Sequence, residues 1–352
     1  MSELILNESI RIGRDAPVFI IAEAGVNHNG DLQTAKRLVD EAARIGANAV
    51  KFQSFTAEEL VTVSAPKAAY QYQTTSQQET QYEMLKRLEL SPAEQWELAD
   101  YCRSRNLLFL STPYDEASVD LLEEIGVAAF KISSSDITNI PLLRYVTGKQ
   151  MPVILSTGMS TLGEVEDAVN IIRAGGNASL ALLHCTSEYP APLEESNLRA
   201  IETLKCCFAC PVGFSDHTPG MGASPWAVAR GACIIEKHFT LDQNLTGPDH
   251  AASLDPAGFS LLVQTIRQVE AALGDGVKRP MPSELRNKHL VQKGLYARMT
   301  IQAGDRISPA ALACKRPARG LLPRDFDLVA GKIAARTIYA NEPLFYDSIV
   351  WE

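Results

Sequence analysis

Short apolar runs alternate with amphipathic stretches along most of the chain. The stretches show helical periodicity, for example at Asp31–Ile45, Glu116–Ile125, Leu162–Ala174, Gly222–Gly231 and Pro256–Leu273. The runs predict eight strands, at Val18–Ala24, Ala49–Phe55, Leu107–Thr112, Ala128–Ser133, Val153–Thr157, Leu180–Cys185, Val212–Asp216 and Cys233–Phe239. Nearly continuous apolar strands joined by helical crossovers indicate a parallel sheet covered on both faces. The pattern therefore predicts an α/β fold, a (β/α)8 TIM barrel.

A long insertion, Thr56–Leu90, follows the second predicted strand. Its middle, Tyr70–Tyr82, is rich in Tyr and Gln and predicts a loop leading into a short helix. The following Ser91-Pro92-Ala93-Glu94 has the form of a capping box that opens another helix. So long a connection in a compact barrel is often functional, and its Tyr and Gln side chains suit a polyol substrate. The alternative is a surface insertion or an oligomer contact.

The barrel pattern stops near Gly274. Asp275–Glu284 is rich in Gly, Pro and basic residues, which is typical of a linker. Further on, Ala297–Ala303 partly recurs as Ala335–Ala340, which predicts a small β domain of two related halves. We therefore expect a barrel over residues 1–274, a linker over 275–293 and a β-rich domain over 294–352. A core of that size is marginal, so we expect the second domain to dock on another surface.

Composition narrows the class of protein. Hydrophobic residues make up 46% of the 352 residues and charged residues 21%, as in packed globular proteins. The net charge of −9 argues against nucleic acid as a partner and gives no reason to expect a membrane partner. No apolar run reaches the roughly 18 residues of a membrane helix. Residues 1–14 lack the features of a secretory signal, and the seven scattered cysteines indicate reduced thiols, so we expect a cytoplasmic protein.

Polar residues end nearly every predicted strand. A purely structural barrel needs no polar residues at all of these ends. Active sites of such barrels lie at the carboxyl ends of the strands, so the sequence predicts a site there. The strand-end segments are Glu23 with Asn27–Gly30, Lys51 with Gln53, Ser111–Pro113, Lys131 with Ser133–Asp136, Ser156–Gly158, His184–Tyr189, Ser215–His217 and Glu236–His238.

Lys51 and Lys131 are the candidate anion ligands. Burying two lysines without partners would cost several kcal/mol or force them neutral. A bound dianion is a natural partner for both, so we expect a cradle for phosphate and carboxylate. The alternative is salt bridging to Glu23 or Glu236 within the barrel. Hydroxyls expected to complete the cradle are those of Thr112, Ser134, Ser156 and Ser215.

His217 and His238 are the candidate metal ligands. They end neighbouring strands of the predicted barrel, and two imidazoles plus water suit Mn²⁺, Fe²⁺ or Zn²⁺, whereas Mg²⁺ relies on oxygen ligands. The alternative is a pair of structural histidines. His28 and His184 are weaker candidates for substrate contact, and we interpret them as a turn residue and a barrel-layer residue.

Together, eight segments of the chain resemble the N-acetylneuraminate (sialic acid) synthases and their relatives, the legionaminate and pseudaminate synthases. The resemblance extends over essentially the whole chain, and the segments are specific as a set. They are Ile21–Gly30, Val50–Phe55, Leu110–Pro113, Phe130–Ile132, Leu155–Met159, Gly213–Thr218, Ile235–Asp242 and Gly247–His250.

The resemblance implies a barrel followed by an antifreeze-like (SAF, β-clip) domain. It implies a homodimer in which each SAF domain covers the active site of the partner, with Arg316 of Lys315-Arg316-Pro317 reaching the acyl group of the sugar. Phosphoenolpyruvate is expected on Lys51, Thr112, Lys131, Ser134, Ser156 and Ser215. A divalent metal is expected on His217 and His238, Mn²⁺ first, with Mg²⁺ or Co²⁺ as alternatives. The sugar is expected on Gln53, Asp136, Tyr189 and Asp249. The expected catalytic residues are Glu23 for the proton of water, Asp249 for the aldehyde side, and Lys51 and Lys131 for developing charge.

Three departures from the family pattern concern the sugar end. Ala318-Arg319-Gly320 replaces the usual Gly-Asn-Gly, Asp136 replaces a Glu, and Ser187 stands where some sialic acid synthases have Asn. The implied activity is condensation of phosphoenolpyruvate with the open-chain aldehyde of N-acetylmannosamine or a close analogue. Alternatives are a legionaminate synthase acting on a 6-deoxy diacetamido sugar, a condensing enzyme acting on a sugar phosphate, and a non-catalytic sugar-binding barrel. No Arg-rich strand end supplies the second phosphate site that a sugar phosphate would need.

Overall fold

A computed structural model describes residues 3–7, 10–176 and 179–351. The outer ends of the two predicted domains, Met1 and Glu352, lie outside the described residues. The chain divides into two units, Met1–Gly274 and Asp275–Glu352, each with its own core. None of the described helices is both long and apolar enough to cross a membrane.

Eight parallel strands, counted over the described residues, form the sheet of the first unit, and the predicted barrel is confirmed. All eight predicted strands are present, with ends shifted by at most two residues. They are β3 (Phe19–Gly25), β4 (Ala49–Ser54), β5 (Leu108–Pro113), β6 (Phe130–Ile132), β7 (Val153–Ser156), β8 (Leu180–Cys185), β9 (Val212–Asp216) and β10 (Ile234–His238). In hydrogen-bonding order the strands are β5-β4-β3-β10-β9-β8-β7-β6, and the two end strands, β5 and β6, lie side by side.

Alternation along each strand divides the apolar residues into two layers. On β3, Ile20 and Ala22 belong to the large core between sheet and helices, whereas Phe19 and Ile21 belong to a smaller core inside the barrel. Both layers are buried, which explains why the strands appear as continuous apolar runs in the sequence. A short hairpin, β1 (Leu4–Ile5) with β2 (Arg11–Ile12), adds Leu4, Leu6 and Ile12 to the inner core.

Helices cover the outside of the barrel. The predicted capping box is present at the start of helix α5 (Pro92–Ser104), where Ser91 N donates to Glu94 at 2.8 Å and Glu94 N donates to Ser91 Oγ at 3.4 Å. Short 3₁₀ turns lie at Ser134–Asp136, Leu193–Glu195 and His250–Ala252. The α-helices are α1 (Leu32–Arg44), α2 (Ala57–Leu60), α3 (Ala69–Thr74), α4 (Gln81–Lys86), α5 (Pro92–Ser104), α6 (Glu116–Ile125), α7 (Ile140–Gly148), α8 (Leu162–Ala174), α9 (Ala200–Phe208), α10 (Ser224–Ala229) and α11 (Pro256–Leu273).

The insertion Thr56–Leu90 contains three short helices, α2 to α4. The loop predicted over Tyr70–Tyr82 is therefore wrong at its start, because α3 occupies Ala69–Thr74. The Gln71 side chain accepts from Ala68 N at 2.9 Å, which opens this helix without the Ser, Thr or Asp that usually marks a helix start. The short helix expected after the loop is present as α4.

The second unit consists of short strands and turns around a small apolar core. Within the predicted linker, Pro282–Val291 forms a helix, α12. The two copies of the weak repeat pair with each other, since Ile301 and Ile338 exchange both backbone hydrogen bonds at 2.9 Å. The remaining strands and helices are β11 (Gly294–Ala297), β12 (Leu312–Lys315), α13 (Phe326–Val329), β13 (Ile333–Ala334) and β14 (Ile349–Val350), with 3₁₀ turns at Pro309–Ala311, Pro323–Asp325 and Tyr346–Ser348.

Candidate active site

A cavity of about 580 Å³ opens at the carboxyl ends of the barrel strands. Its lining includes every barrel residue that we assigned to catalysis, to phosphoenolpyruvate, to the sugar or to a metal, except Asp136. These are Glu23, Lys51, Gln53, Thr112, Lys131, Ser134, Ser156, Tyr189, Ser215, His217, His238 and Asp249. The convergence follows from strand alternation, since residues two apart face the same side of a sheet. Lys51 with Gln53 on β4 is one such pair.

The two lysines share a buried carboxylate. Lys51 Nζ lies 2.8 Å from Glu23 Oε2 and 3.8 Å from Glu236 Oε2. Lys131 Nζ lies 3.7 Å from Glu236 Oε1. Both predicted environments are therefore present together: the lysines line the cavity and also pair with barrel carboxylates. When Glu23 and Glu236 are both ionised, two cations and two carboxylates balance in charge, and a bound dianion would then be held mainly by local geometry and hydrogen bonds.

Hydroxyl groups complete the surroundings of the lysines. Lys51 Nζ donates to Thr112 Oγ1 at 3.0 Å, and Lys131 Nζ donates to Ser156 Oγ at 2.7 Å. Ser215 Oγ donates to Glu236 at 3.1 Å. Each ammonium group thus has one fixed hydroxyl partner, which holds it in place within the cavity.

The carboxylates of this cluster differ in acidity. Burial raises the pKa of Glu23 to about 7, although Lys51 opposes the shift. Burial also acts on Glu236, but the adjacent Lys131 and Lys51 outweigh it and hold the pKa of Glu236 below its ordinary value. Burial raises the pKa of Asp249 to about 6. Glu23 and Asp249 therefore exchange protons near neutral pH, as general acids and bases do.

The pKa values of the two lysines are also shifted in opposite directions. Burial lowers the pKa of Lys51, but Glu23 and Glu236 outweigh it and keep the pKa above its ordinary value. Burial dominates at Lys131 and lowers its pKa, with partial opposition from Glu236. An anion beside Lys131 would restore the balance there.

The turn after β7 brings backbone into the cavity. Gly158 N donates to Ser134 Oγ at 2.9 Å, and that hydroxyl also lies 3.6 Å from Cys185 Sγ. A Cβ atom at Gly158 would lie 2.2 Å from Ser187 Oγ and 2.9 Å from Cys185 Sγ. Any side chain at this position would therefore displace the side chains of Ser187 and Cys185, and the Gly158 amide helps to position the Ser134 hydroxyl.

The two candidate metal ligands lie side by side. The rings of His217 and His238 have centroids 5.5 Å apart. His217 Nδ1 donates to the Thr186 carbonyl oxygen at 2.7 Å, so in the neutral ring Nε2 holds the lone pair. Burial lowers the pKa of His217, but Cys185 outweighs it and raises the pKa, so a metal would compete with a proton for Nε2. Burial lowers the pKa of His238 well below its ordinary value, and its buried Nδ1 has no hydrogen-bond partner. Two imidazoles with free lone pairs fit a divalent metal.

Within the described residues, no third protein ligand joins these two histidines. No group of three or more His, Cys, Asp or Glu side chains in the described part of the chain is arranged to hold an ion. A metal on His217 and His238 would therefore take its remaining ligands from water or substrate, which is the open arrangement of a catalytic site.

A row of aromatic rings leads away from the histidines. Tyr189 lies 4.2 Å from His217 and 5.5 Å from His238 between ring centroids. Tyr70, from the insertion, lies 5.2 Å from Tyr189. Burial raises the pKa of Tyr70 and of Tyr189 above the ordinary range, so both phenols stay protonated as hydrogen-bond donors.

The loop that carries His217 is anchored behind the cavity. Asp216 accepts hydrogen bonds from the backbone and hydroxyl groups of Thr218 and Ser224, at 2.5 to 2.9 Å. Lys237 Nζ lies 3.3 Å from Asp216 and donates to the Thr218 carbonyl oxygen at 2.7 Å. The outward-facing residues of β9 and β10 thus fix the loop between the two histidines.

Other predicted residues lie elsewhere. Asp136 is outside the cavity lining, where its carboxylate accepts from Asn139 at 3.0 Å and Ser135 at 3.2 Å. His28 accepts from Gly30 N at 3.0 Å as a turn residue, and His184 contacts the Ser196 carbonyl at 2.8 Å; neither lines the cavity. Arg316 follows β12 in the second unit.

Sequence reasoning assigned no individual site role to several lining residues. Glu236 was predicted only as part of a strand end and as a salt-bridge partner, although it shares a strand face with His238 and two buried lysines require counter-charge. Cys185 and Tyr114 gave no separate signal, because a buried thiol and a buried aromatic ring resemble ordinary core residues. Tyr70 was included only in the general expectation that the insertion contacts a polyol.

Known proteins are similar to this chain over most of its length. The sequence pattern of the NeuB family matches residues 38–278, and that of the SAF domain matches residues 292–350. An N,N'-diacetyllegionaminic acid synthase of Campylobacter jejuni is 48% identical over 92% of this chain and 97% of that protein. A protein of the same name from Legionella pneumophila is 45% identical over 96% of each chain.

One solved structure is also similar to this chain. It is the N-acetylneuraminic acid (sialic acid) synthetase of Leptospira borgpetersenii in complex with citrate, 39% identical to this chain. The TM-score is 0.73 over 81% of this chain and 95% of that one.

Proposed function

Since the chain belongs to the NeuB family, we propose that it condenses phosphoenolpyruvate with the open-chain aldehyde of an N-acetylated amino sugar and releases phosphate. The observation that carries the proposal is the pair of buried lysines, Lys51 and Lys131, in one cavity with the two histidines. A sugar-binding barrel without chemistry has no use for that combination. The two sequence relatives described above are named as N,N'-diacetyllegionaminic acid synthases, which favours the 6-deoxy diacetamido sugar over N-acetylmannosamine.

In the proposed reaction, C3 of phosphoenolpyruvate attacks the aldehyde carbon and forms the new C–C bond. The resulting oxocarbenium at C2 accepts water, and the tetrahedral intermediate expels phosphate as its C–O bond breaks. Lys51 and Lys131 bind the phosphate and carboxylate and stabilise their charge, while Thr112 and Ser156 orient the two ammonium groups.

Two carboxyl groups suit the proton transfers of this sequence. Glu23, with a pKa of about 7, exchanges the proton of the attacking water. Asp249, with a pKa of about 6, serves the aldehyde oxygen as it becomes a hydroxyl. His217 and His238 would hold a divalent metal, for which the family resemblance implies Mn²⁺ first, with Mg²⁺ or Co²⁺ as alternatives; imidazole nitrogen disfavours Mg²⁺, which prefers oxygen ligands. Bound there, the ion would supply Lewis-acid polarisation of the aldehyde.

The test is phosphate release from phosphoenolpyruvate, with Mn²⁺ and separate aldehyde sugars: N-acetylmannosamine, its 6-phosphate and the 6-deoxy diacetamido sugar. Phosphoenolpyruvate labelled with ¹⁸O at the bridging oxygen should give labelled phosphate. We expect Lys131→Met to lower kcat/KM at least about 10²-fold. Lys149→Met, at a lysine that pairs with Asp120 and Glu123 on the outside of the barrel, should have little effect.

Three results would contradict the proposal. Sugar binding without phosphate release would indicate a binding protein. Turnover of the 6-phosphate alone would indicate the sugar-phosphate class of condensing enzyme. Label retained in the organic product would mean cleavage of the P–O bond instead of the C–O bond.

We further infer a homodimer in which Arg316 of one protomer serves the sugar at the active site of the other. The support is the match of Lys315-Arg316-Pro317 to the family pattern. Mixing inactive Lys131→Met with inactive Arg316→Ala subunits should restore activity, because exchanged dimers contain one intact composite site. Mixtures that stay inactive after confirmed subunit exchange would refute this arrangement.

A further inference from the structure

The insertion contributes an apolar patch to the cavity lining. We call Leu60, Val61, Met84 and Leu85 the insertion wall; all four line the cavity. The lysines, hydroxyls and histidines, by contrast, come from the strand ends. The cavity therefore combines a charged region on the barrel with an apolar patch on Thr56–Leu90, an insertion that also adds Tyr70, Gln71 and Gln81 to the lining.

The insertion wall is held in place by its own small core. Met84 and Leu85 are buried with Val26 and Phe55, and Leu60 and Val61 pack against that cluster. Glu58 on α2 ties this helix to α4, where Tyr82 Oη donates to it at 2.8 Å and Lys86 Nζ at 3.0 Å. Such a wall presents a fixed apolar surface to a ligand.

The proposed substrates differ in what they offer such a surface. Phosphoenolpyruvate is charged, and the hydroxyl groups of a sugar chain lose water without compensation against apolar side chains. Methyl groups gain from the same contact, about fourfold in affinity for each one buried. The 6-deoxy diacetamido sugar carries two methyl groups that N-acetylmannosamine lacks, one at C6 and one on the 4-acetamido group.

We propose that the insertion wall selects the sugar by receiving these two methyl groups, an inference that rests on the proposed function. Tyr70 lies in the same insertion and contacts Tyr189, which in turn contacts His217. The wall, the two tyrosines and the histidines thus line one cavity. A sugar whose aldehyde lies at the histidines extends its far end toward the insertion.

The experiment compares one substitution at two positions of the insertion. Val61→Thr keeps the shape of the side chain and places a hydroxyl in the wall. Val63→Thr makes the same change at a side chain that is 69% exposed and outside the lining. Leu60→Asn is a stronger variant of the first kind. Readouts are kcat/KM for each sugar, KM for phosphoenolpyruvate, and the melting temperature.

We expect Val61→Thr to lower kcat/KM for the 6-deoxy diacetamido sugar by about fourfold to tenfold, and Leu60→Asn by more. The value for N-acetylmannosamine and the KM for phosphoenolpyruvate should stay within about twofold, and Val63→Thr should match the wild type. If Leu60→Asn does not fold, the nearly isosteric Val61→Thr alone decides.

Equal losses for both sugars would overturn the inference, because the wall would then serve the 2-acetamido group that they share. Unchanged kinetics for both sugars would also overturn it, because the wall would not touch the sugar. Both results leave the proposed function standing. Wild-type protein that releases phosphate with neither sugar would instead overturn the proposed function, and this inference with it.

Discussion

Gly158 gives the sharpest test of how tightly the cavity is packed. In Gly158→Ala, the new methyl would lie 2.2 Å from Ser187 Oγ, 2.9 Å from Cys185 Sγ and 3.0 Å from Ser134 Oγ. Ser187 would have to retreat by about 1.2 Å to reach the 3.4 Å at which ordinary contacts begin. Overpacking of this kind costs about 1–3 kcal/mol. Gly148→Ala is the matched control, since its methyl meets nothing within 4 Å at the end of α7.

The two substitutions should therefore change the free energy of unfolding in opposite directions. Gly148→Ala should gain about 0.5–1 kcal/mol, because alanine restricts the unfolded chain and favours helix. Gly158→Ala should melt at a lower temperature and also show a KM for phosphoenolpyruvate raised about tenfold, since the displaced Ser134 hydroxyl is an expected ligand. Thermal unfolding and steady-state phosphate release measure both quantities. A Gly158→Ala protein with wild-type melting and wild-type KM would refute the packing argument.

Three further predictions concern buried charge. Glu236→Gln should lose about 3–5 kcal/mol of stability, because two buried lysines lose their shared carboxylate. Added phosphate should recover part of the lost melting temperature. A melting temperature equal to that of the wild type would contradict this prediction. Glu23 binds its proton more tightly when folded, with a pKa of about 7 against 4.5, so its contribution to the unfolding free energy should fall by about 3 kcal/mol as pH rises between those values. Urea unfolding of wild type and Glu23→Gln at pH 5 and pH 7.5 should show a larger fall in stability in the wild type, since Asp249, whose pKa is also raised, contributes equally to both proteins; equal falls would contradict the prediction. Asp216→Asn and Lys237→Met should each destabilise the barrel, whereas the double variant should lose less than their sum; strict additivity in thermal unfolding would exclude a coupled pair.

The barrel was predictable because its strands are buried on both faces. Leu180–Cys185 and Val212–Asp216 match the predicted limits without change. Helix α3 was not predictable in the same way. Ala69–Thr74 contains two tyrosines and no apolar stripe, and its start depends on a Gln71 side chain that folds back onto Ala68.

The site was predictable to the extent that strand alternation decides it. Residues on barrel strands reach the cavity because every second side chain points inward, and this holds for Lys51, Ser215 and His238. Asp136 lies beyond the end of β6 in a 3₁₀ turn, where alternation no longer applies and its carboxylate turns toward Asn139. Tyr70 depends on tertiary packing of the insertion, which no local pattern encodes.

The hairpin at the start of the chain has a kinetic consequence. Leu4, Leu6 and Ile12 pack into the inner core at the amino-terminal end of the barrel, so within the described residues the cavity opens at the other end. Lys131 is 3% exposed, whereas Leu60 and Tyr70 are only half-buried. A ligand on the lysine must arrive before the sugar and depart after the sugar product. Turnover should follow a compulsory order, with inorganic phosphate competitive against phosphoenolpyruvate and noncompetitive against the sugar.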